Sequence, residues 1–272
     1  MILGIDIGGT TTKLIGYNGT EMVRPITVKT NDHIASAAGA LGKFVDEEGC
    51  SLSDIQRVSI TGVGAGRIAE KLLGVPVFQV GEFQAIGRGG TFLSGISKGI
   101  VVSMGTGTAI VEVDGESMKH WGGTGVGGGT IFGLSKHILG VTDMEILNRK
   151  SVQGNLDLVD LTVGDISSAE AVGLSNKVTA SNFGKSSDDA SPDDLALAIM
   201  NLVFQTIGVL SKGAALATGN TDIIMTGRLA RMDVADKIFA DLSEWFDLNF
   251  IIPELSEYAT AVGAALSPCL SI

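Results

Sequence analysis

Short apolar runs alternate with glycine-rich turns along the first thirty residues of the chain. Residues 1–7 form an apolar run that is too brief for a helix, which predicts a buried strand. One acid, Asp6, interrupts this run, and Gly8 and Gly9 end it. Further strands are predicted over residues 13–17 and 21–28, so the chain opens with a three-stranded meander.

The same order returns near residue 99. An apolar run over residues 99–104 leads into a loop of glycine and threonine at 105–108, followed by a strand at 109–113. Asp114-Gly115 then marks a tight turn, as Asn18-Gly19 does in the first copy, because both dipeptides favour two-residue hairpin turns. The pattern therefore predicts two similar hairpins, each with a glycine-rich tip.

The remaining periodicity predicts strands alternating with helices after each meander. In the first half we expect a helix capped by Asn31 or Asp32 and running to about residue 48, a strand at 57–61, a helix at 67–73, an edge strand at 75–80 and a helix at 82–93. In the second half we expect helices at 131–139, 142–149, 193–218, 234–246 and 258–266, with strands at 222–225 and 249–252. This alternation favours two α/β halves.

Composition narrows the functional classes. The 272 residues carry 30 acidic and 19 basic side chains, with no basic cluster, so the chain lacks the electrostatic footprint of a nucleic-acid-binding protein. We expect no membrane span and no signal peptide, and hence a cytoplasmic protein. Cys50 and Cys269 lie far apart without a metal-ligand spacing, which predicts reduced, structural thiols.

The first glycine turn carries groups suited to phosphate chemistry. Gly8 and Gly9 let backbone amides approach a ligand closely, while Thr10 and Lys13 add donors for phosphate oxygens. Asp6 offers a hard oxygen to hydrated Mg2+. The alternative is an ordinary hairpin turn with one misplaced acid.

Residues 122–130 form the most glycine-dense stretch and immediately precede a predicted helix. Successive amides that open onto a helix N-terminus create an anion site, which the helix dipole reinforces. The alternative, a flexible linker, fits poorly between a hairpin and an amphipathic helix.

Glu82 is the candidate catalytic acid or base. It lies between Val80 and Phe83 at the start of a helix, where partial desolvation would raise the pKa of its carboxyl toward that of a useful base. An acid at a helix start is also favoured by the macrodipole, which lowers the pKa. The sequence alone leaves both readings open.

Two facing hairpins of this kind would clamp a polyphosphate, and in this respect the chain resembles the actin, sugar kinase and Hsp70 group. The resemblance implies two RNase H-like (actin-like ATPase) domains with duplicated hairpin phosphate loops and mixed central sheets. We expect an N-terminal domain of residues 1–96 joined by the closing helix at about 257–272. Residues 97–256 would form the C-terminal domain, with the glycine-rich nucleotide loop and a dimerisation helix at 193–218.

Within that group the chain resembles the type II pantothenate kinases, which include the animal and staphylococcal enzymes. The similarity runs almost end to end and rests on six motifs: residues 6–10 with Lys13, the Thr61-Gly62 corner, Glu82-Phe83, residues 105–108, residues 122–130 and residues 179–184. The triple-glycine run and the Asn-Phe-Gly segment are the more specific ones. Gly8-Gly9-Thr10 is shared with many sugar kinases.

The resemblance implies an ATP- and Mg2+-dependent kinase that phosphorylates the primary hydroxyl of pantothenate, the first step of coenzyme A synthesis. Glu82 would be the general base, Asp6 would orient Mg2+ through water, and Thr106 and Gly107 would lie near the pantothenate chain. The ATP phosphates would be held by Gly8, Gly9, Thr10, Lys13, Gly125, Gly127, Gly128, Gly129 and Thr130. The apolar circumference of the 193–218 helix and the family together predict a homodimer. Coenzyme A or an acyl-CoA is a candidate regulator, and the sequence leaves open whether either acts here.

His120 is a departure from the family pattern. The family has an arginine two residues before the glycine run, where it reaches the substrate and the transferring phosphate. An imidazole cannot reproduce a bidentate guanidinium. His120 is therefore a weaker catalytic and substrate-binding substitute, a pointer to another acceptor such as pantetheine or a sugar, or a sign of an ATP-binding sensor. Arg67, Arg88 and Arg228 are the candidate compensating cations.

Overall fold

Two mixed sheets form the framework of the computed structural model, which describes residues 1–167 and 175–268. The first sheet contains β1 (Ile2–Ile7), β2 (Thr11–Tyr17), β3 (Met22–Lys29), β4 (Arg57–Thr61), β5 (Lys71–Leu72) and β6 (Val75–Gln79). Their spatial order is β3-β2-β1-β4-β6-β5. β1 pairs antiparallel with β2 and parallel with β4, so the predicted meander is confirmed and the sheet is mixed.

The second half repeats this arrangement. It contains β7 (Lys98–Met104), β8 (Thr108–Asp114) and β9 (Ser117–Thr124), a small pair β10 (Leu161–Thr162) and β11 (Thr179–Ser181), and then β12 (Asp222–Thr226) and β13 (Asn249–Ile251). The larger sheet has the order β13-β12-β7-β8-β9. Read from β9, it matches the order β3-β2-β1-β4-β6 of the first sheet. The predicted fold class, two RNase H-like halves, is confirmed.

Eight α-helices lie in the described part of the chain. They are α1 (His33–Glu48), α2 (Glu82–Ser94), α3 (Gly128–Leu139), α4 (Met144–Gln153), α5 (Val163–Ile166), α6 (Pro192–Thr218), α7 (Ala235–Phe246) and α8 (Ala259–Leu266). α1 begins where the Asp32 side chain accepts a hydrogen bond from the Ala35 amide, which satisfies a free N–H of the first turn. The closing helix α8 packs on α2 and β1, as expected. The exact domain boundaries stay a prediction.

The helix predicted over residues 67–73 is wrong. A 3-10 turn at Ala65–Arg67 is followed by β5, which turns into β6 at Gly74 with a φ of +89°. Ile68 and Leu72 have the spacing of a helix face, but both are buried under the first sheet. β5 therefore forms the edge, and β6 lies inside the sheet rather than at its edge.

Neither tight turn has the predicted two-residue geometry with two positive φ angles. β2 and β3 are joined by a four-residue loop, in which the Asn18 side chain accepts hydrogen bonds from the Thr20 and Glu21 amides. The second turn consists of Gly115 and Glu116, and only Gly115 has a positive φ. Side-chain capping by Asn18 stabilises the longer loop.

The expectation that no stretch approaches the length of a membrane span is wrong for α6. By length and composition alone this helix could cross a bilayer, with a mean hydropathy of 1.6 over its most apolar window. However, 61% of that window is buried, and the helix packs against α3, α4 and α7. Its surroundings are those of a core helix. Cys50 is a free thiol, whereas Cys269 lies outside the described residues.

Candidate functional site

A cleft of about 640 Å³ opens between the two halves of the molecule. Ten of the fourteen predicted site residues line it: Asp6, Gly8, Gly9, Thr10, Lys13, Glu82, Thr106, Gly107, Gly128 and Gly129. The other four, Gly125, Gly127, Thr130 and His120, do not form its lining. Residues that are distant in sequence thus converge on one site, as the duplicated hairpins predict.

The tips of the two hairpins face each other across this cleft. The first hairpin consists of β1, β2 and the tip at Gly8–Thr10, and the second of β7, β8 and the tip at Gly105–Gly107. A Cβ placed on Gly9 would lie 3.9 Å from Oγ1 of Thr106. A ligand bound in the cleft would therefore meet backbone from both halves of the fold.

The first hairpin brings a carboxylate and an ammonium to the floor of the cleft. Asp6 and Lys13 are directly paired across β1 and β2, and Lys13 is only 7% exposed. Burial raises the pKa of Asp6 from 3.8 to about 6; the nearby charge of Lys13 opposes this shift, and Glu82 adds to it. Burial also lowers the pKa of Lys13, which the charge of Asp6 opposes.

Gly62 makes room for the Asp6 carboxylate at the end of β4. It has a φ of +88°, and a Cβ at this position would come within 2.5 Å of Asp6 Oδ1. The Thr61-Gly62 corner therefore requires glycine for both its backbone conformation and its proximity to Asp6. The sequence alone indicated a glycine corner without its reason.

Glu82 is the first residue of α2 and reaches the cleft from the first half of the molecule. Its side chain is exposed, which agrees with the second of the two readings of the sequence, an acid at a helix start. It approaches Asp6 closely enough to influence the pKa of that carboxyl. Two carboxylates thus line one cleft, one on β1 and one at the start of α2.

The glycine-rich segment before α3 binds to the second hairpin. The amides of Gly128 and Gly129 donate hydrogen bonds of 2.9 Å to the carbonyls of Gly105 and Thr106. A Cβ on Gly127 would lie 2.7 Å from the Thr106 carbonyl oxygen, so this contact requires glycine. Two amides that were expected to face a phosphate are therefore occupied by backbone carbonyls. The segment fixes the shape of the second tip.

His120 lies on β9 outside the cleft. Its ring stacks on Phe83, with the ring centroids 3.9 Å apart and the planes inclined by 8°. Because Phe83 follows Glu82, the imidazole contacts the start of α2 rather than the space between the two hairpins. The structure thus places His120 beside the candidate base, where the sequence had suggested a direct contact with substrate.

Of the three candidate compensating cations, only Arg228 lines the cleft. It follows β12, is exposed, and lies close enough to Lys13 for its charge to lower the pKa of that ammonium. Arg88 instead forms an ion pair of 2.8 Å with Glu116. Arg67 lies in the 3-10 turn at Ala65–Arg67, away from the cleft lining.

Sequence reasoning missed the apolar wall of the cleft. Phe132 of α3, Met144 of α4 and Leu229 after β12 line it from the second half. Phe132 is 43% exposed, unusual for a large apolar side chain on a helix that packs on a core. Its exposure is invisible in the sequence, where it reads as one more residue of the apolar face.

The Asn-Phe-Gly segment has a structural role in the described fold. Asp160, which is 1% exposed, accepts hydrogen bonds from the Phe183 amide and from the side-chain amides of Asn182 and Asn201. This network ties the segment after β11 to α6. The motif thus lies away from the cleft and stabilises the second half of the fold.

Comparisons with known proteins bear on the family and the fold. The family model described as Fumble matches residues 98–266. A type II pantothenate kinase from Bacillus cereus is 29% identical over 282 residues, covering 97% of each chain. Among solved structures, the ADPNP-bound activator of 2-hydroxyisocaproyl-CoA dehydratase from Clostridium difficile has a TM-score of 0.70 at 20% identity, covering 97% of this chain and 92% of that one. A ROK family glucokinase from Streptomyces griseus, in complex with glucose and AMPPNP, has a TM-score of 0.62 at 16% identity, covering 97% of each chain.

Proposed function

We propose, since this chain belongs to the Fumble family of type II pantothenate kinases, that it transfers the γ-phosphoryl group of ATP to the primary hydroxyl of pantothenate. Family and fold together support an ATP-dependent kinase. The choice of pantothenate rests on the named relatives, and one observation supports transfer to an acceptor hydroxyl. Lys13 and Asp6 at the cleft floor face the same space as Glu82, so a phosphate group and an acceptor hydroxyl can meet there.

In this proposal the polyphosphate of ATP lies between the two hairpin tips. Phosphoryl transfer needs positioning and neutralisation of charge more than covalent chemistry from the protein. Lys13 supplies a fixed positive charge, while Gly8, Gly9 and Thr10 supply a close backbone surface. The adenine ring would pack against the apolar wall formed by Phe132, Met144 and Leu229.

The glycine-rich segment contributes indirectly as well as directly. Its amides at Gly128 and Gly129 hold the second tip, so Thr106 and Gly107 are presented in a fixed conformation. The remaining candidates, Gly125, Gly127 and Thr130, stay predicted nucleotide contacts. Preorganisation of this kind lowers the entropic cost of binding the phosphates.

The chemistry of Asp6 fits a hydrated Mg2+ ion. No side chain in the described part of the chain donates a hydrogen bond to its carboxylate, and Gly62 leaves space beside Oδ1. Mg2+ is commonly bound through one or two carboxylates together with substrate phosphates and water. Asp6 would hold the ion through water, and the ion would neutralise phosphate charge.

Glu82 is the proposed general base. As an exposed carboxylate at the start of α2, it can accept the proton of the acceptor hydroxyl as the oxygen attacks the γ-phosphorus. Thr106 and Gly107 would orient the pantothenate chain. The stack of His120 on Phe83 would fix the direction from which Glu82 approaches, so His120 acts here through position.

Arg228 is the proposed replacement for the family arginine. It is an exposed guanidinium on the cleft that pairs with no carboxylate in residues 1–167 and 175–268. Such a group can bind phosphate oxygens in a bidentate manner, which an imidazole cannot. The guanidinium of Arg228, after the end of β12 in the second half of the fold, would therefore supply this positive charge.

The absence of the family arginine at position 120 favours one alternative, a kinase of a related alcohol such as pantetheine or a sugar. A catalytically weak ATP-binding sensor is the further alternative, but such a protein has no use for a base at Glu82.

We also propose that the protein is a cytoplasmic homodimer built on α6, whose Val209 and Leu216 are exposed. Coenzyme A or an acyl-CoA is the proposed candidate regulator.

Initial rates of ADP release with pantothenate, pantetheine and a panel of sugars test the proposal. We expect kcat/KM for pantothenate to exceed that for each sugar by at least about 100-fold, as a site built for one polar acceptor discriminates strongly. A higher kcat/KM for pantetheine or a sugar would identify that compound as the acceptor in place of pantothenate. ATP binding without turnover on any acceptor would support the sensor.

A further inference from the structure

A second cavity, of about 1000 Å³, lies on the other side of the first turn of α2. Strands β4 and β6, the start of α2 and the segment after α8 form its walls. Glu82 lines the cleft, whereas Gly81 and Gln84 line this cavity. A single helical turn therefore separates the two spaces.

Two buried donors in the cavity wall, on Ser59 and Arg88, have no hydrogen-bond partner among residues 1–167 and 175–268. Ser59 is 1% exposed, and its hydroxyl is unpaired within the described residues. Nε of Arg88 is also buried and unpaired, although another nitrogen of the same guanidinium binds Glu116. A buried polar group without a partner costs free energy. A ligand with acceptor oxygens would remove this cost at both positions.

The charge of the lining favours an anion. Arg57 joins Arg88 in the wall, donates a hydrogen bond to the Ser267 carbonyl and lies 5.7 Å from the centre of the Phe78 ring. The one carboxylate in the lining, Glu70, is exposed and can turn toward water. Two guanidinium groups and one exposed carboxylate thus line this space.

Much of the remaining wall is apolar, although Gln79, Gln84 and Ser267 also line it. Ile68, Val77, Phe78 and Val80 line it, and Phe78 is 38% exposed although it lies on an inner strand. Cavities that bind small molecules combine such a lining with a few convergent polar groups and measure roughly 300–1,000 Å³. The space therefore suits an apolar body that carries one charged end.

We propose that this cavity is a second ligand site, which takes a small phosphate ester or carboxylate with an apolar body. The anionic group would accept hydrogen bonds from Ser59 and Arg88, and the body would cover Phe78 and its neighbours. This site lies outside the kinase cleft and does not depend on which acceptor the cleft uses.

Glu116 makes the proposal sharper. It lies in the turn between β8 and β9, is 85% exposed, and holds the Arg88 guanidinium at 2.8 Å. A ligand that recruits Arg88 must compete with this carboxylate. Replacement of Glu116 by Gln should therefore strengthen ligand binding, whereas replacement of Arg88 should weaken it.

The test is calorimetric titration of the full chain with hexyl phosphate and with hexanoate. We expect one saturable site, at least about tenfold weaker in Arg88→Met and about threefold tighter in Glu116→Gln. Inorganic phosphate alone and 1-hexanol alone should each bind more weakly than the joined molecule. The stronger of the two anions identifies the headgroup.

Two controls separate this site from a folding defect and from the cleft. Ser59→Ala removes a hydroxyl that has no partner, so the variant should keep its stability and still bind about threefold more weakly. Lys98→Met breaks an exposed ion pair with Asp114, at the end of β8 and two residues before Glu116. This variant should keep the wild-type affinity for both anions. A saturating non-hydrolysable ATP analogue should not displace either anion.

The proposal is overturned by any of four results. The first is a failure to saturate below about 10 mM, a concentration that corresponds to a binding free energy of about −2.7 kcal/mol by RT ln Kd. The second is equal affinity in wild type and Arg88→Met, and the third is displacement of the anion by the ATP analogue. The fourth is binding that is detected only after deletion of residues 269–272. None of these outcomes bears on turnover of pantothenate, so the kinase proposal is judged separately.

Discussion

The two hairpins that face each other across the cleft share a backbone plan but differ in chemistry. In the first, the next-to-last strand pair is Asp6 with Lys13; in the second, the corresponding pair is Ser103 with Ala109. All four residues line the cleft. The duplicated halves thus place charge on one side of the ligand and neutral backbone on the other.

The second tip differs in how it is supported. Carbonyls of Gly105 and Thr106 accept hydrogen bonds from the amides that open α3, and Thr108 donates to the Val126 carbonyl at 2.9 Å. No α-helix begins at the first tip, where the Gly8 amide bonds the Thr11 carbonyl within the loop. We infer that the first hairpin acts through charge and the second through a fixed shape.

In the comparison of the two hairpins, the largest expected effect follows from the charge of the first hairpin. Lys13→Met should lower kcat/KM for ATP by at least about 100-fold, because it removes the buried cation that neutralises phosphate. The matched change on the other side, Ser103→Ala, should alter it by less than about threefold. Steady-state kinetics of both variants check the contrast, and equal losses would contradict it.

The next effect concerns the shape of the second hairpin. Gly127→Ala places a Cβ 2.7 Å from the Thr106 carbonyl oxygen, which overpacks the contact and should cost about 2 kcal/mol in the free energy of unfolding. Gly125→Ala meets no atom within 4 Å and should change stability by less than about 0.5 kcal/mol. Urea unfolding measures both; two equally stable variants would refute the packing role.

The charged pair should also appear in the pH dependence of stability. Burial raises the pKa of Asp6 from 3.8 to about 6, so between these values the folded state keeps a proton that the unfolded chain releases. The stabilisation associated with this proton is present below pH 4 and is lost as the pH rises through 6. Asp6→Asn should not lose this stabilisation. Between pH 4 and pH 7, its free energy of unfolding should therefore rise by on the order of 2 kcal/mol relative to that of wild type.

Unfolding in urea with EDTA at pH 4, 5, 6 and 7 tests this dependence. Ser103→Ala is the control, because the second hairpin has no ionisable group at that pair and its curve should parallel that of wild type. A parallel curve for Asp6→Asn would show that the carboxylate is ionised without cost, and the proposed electrostatic contrast would fail.

The smallest effect concerns His120. Because its ring stacks on Phe83 outside the cleft, His120→Ala should lower kcat by no more than about threefold, the scale of an exposed aromatic contact. Arg228→Met, which removes a cation from the cleft, should cost about tenfold. If kinetic measurements show a larger loss of kcat for His120→Ala than for Arg228→Met, His120 contacts the substrate directly.

Much of this fold could be predicted from the hydrophobic pattern. Strands β1, β7 and β12 are short apolar runs that are each followed by a glycine, and α6 is long and strongly apolar. The failures are local. Ile68 and Leu72 have helical spacing, but Ile68 directly follows a 3-10 turn and Leu72 lies in an edge strand, because sheet contacts outweigh a weak local periodicity.

The site was predictable where chemistry is encoded in residue type. Asp6, Lys13 and Glu82 are ionisable groups in apolar or glycine-rich settings, so they stood out. The occupation of the Gly128 and Gly129 amides could not be predicted, since hydrogen-bond partners come from a distant tip. The outward position of His120 depends on strand register between β8 and β9, where a bulge near Val111 shifts the pairing.

The most direct test of the central assignment is product analysis with Glu82→Gln beside wild type. Incubation with ATP and pantothenate, followed by mass spectrometry and calorimetric measurement of ATP binding, compares chemistry with nucleotide affinity. We predict phosphorylated pantothenate from wild type, at least about 1,000-fold less from the variant, and ATP affinity within about threefold. Undiminished product from Glu82→Gln, or ADP release by wild type without phosphorylated pantothenate, would contradict the assignment.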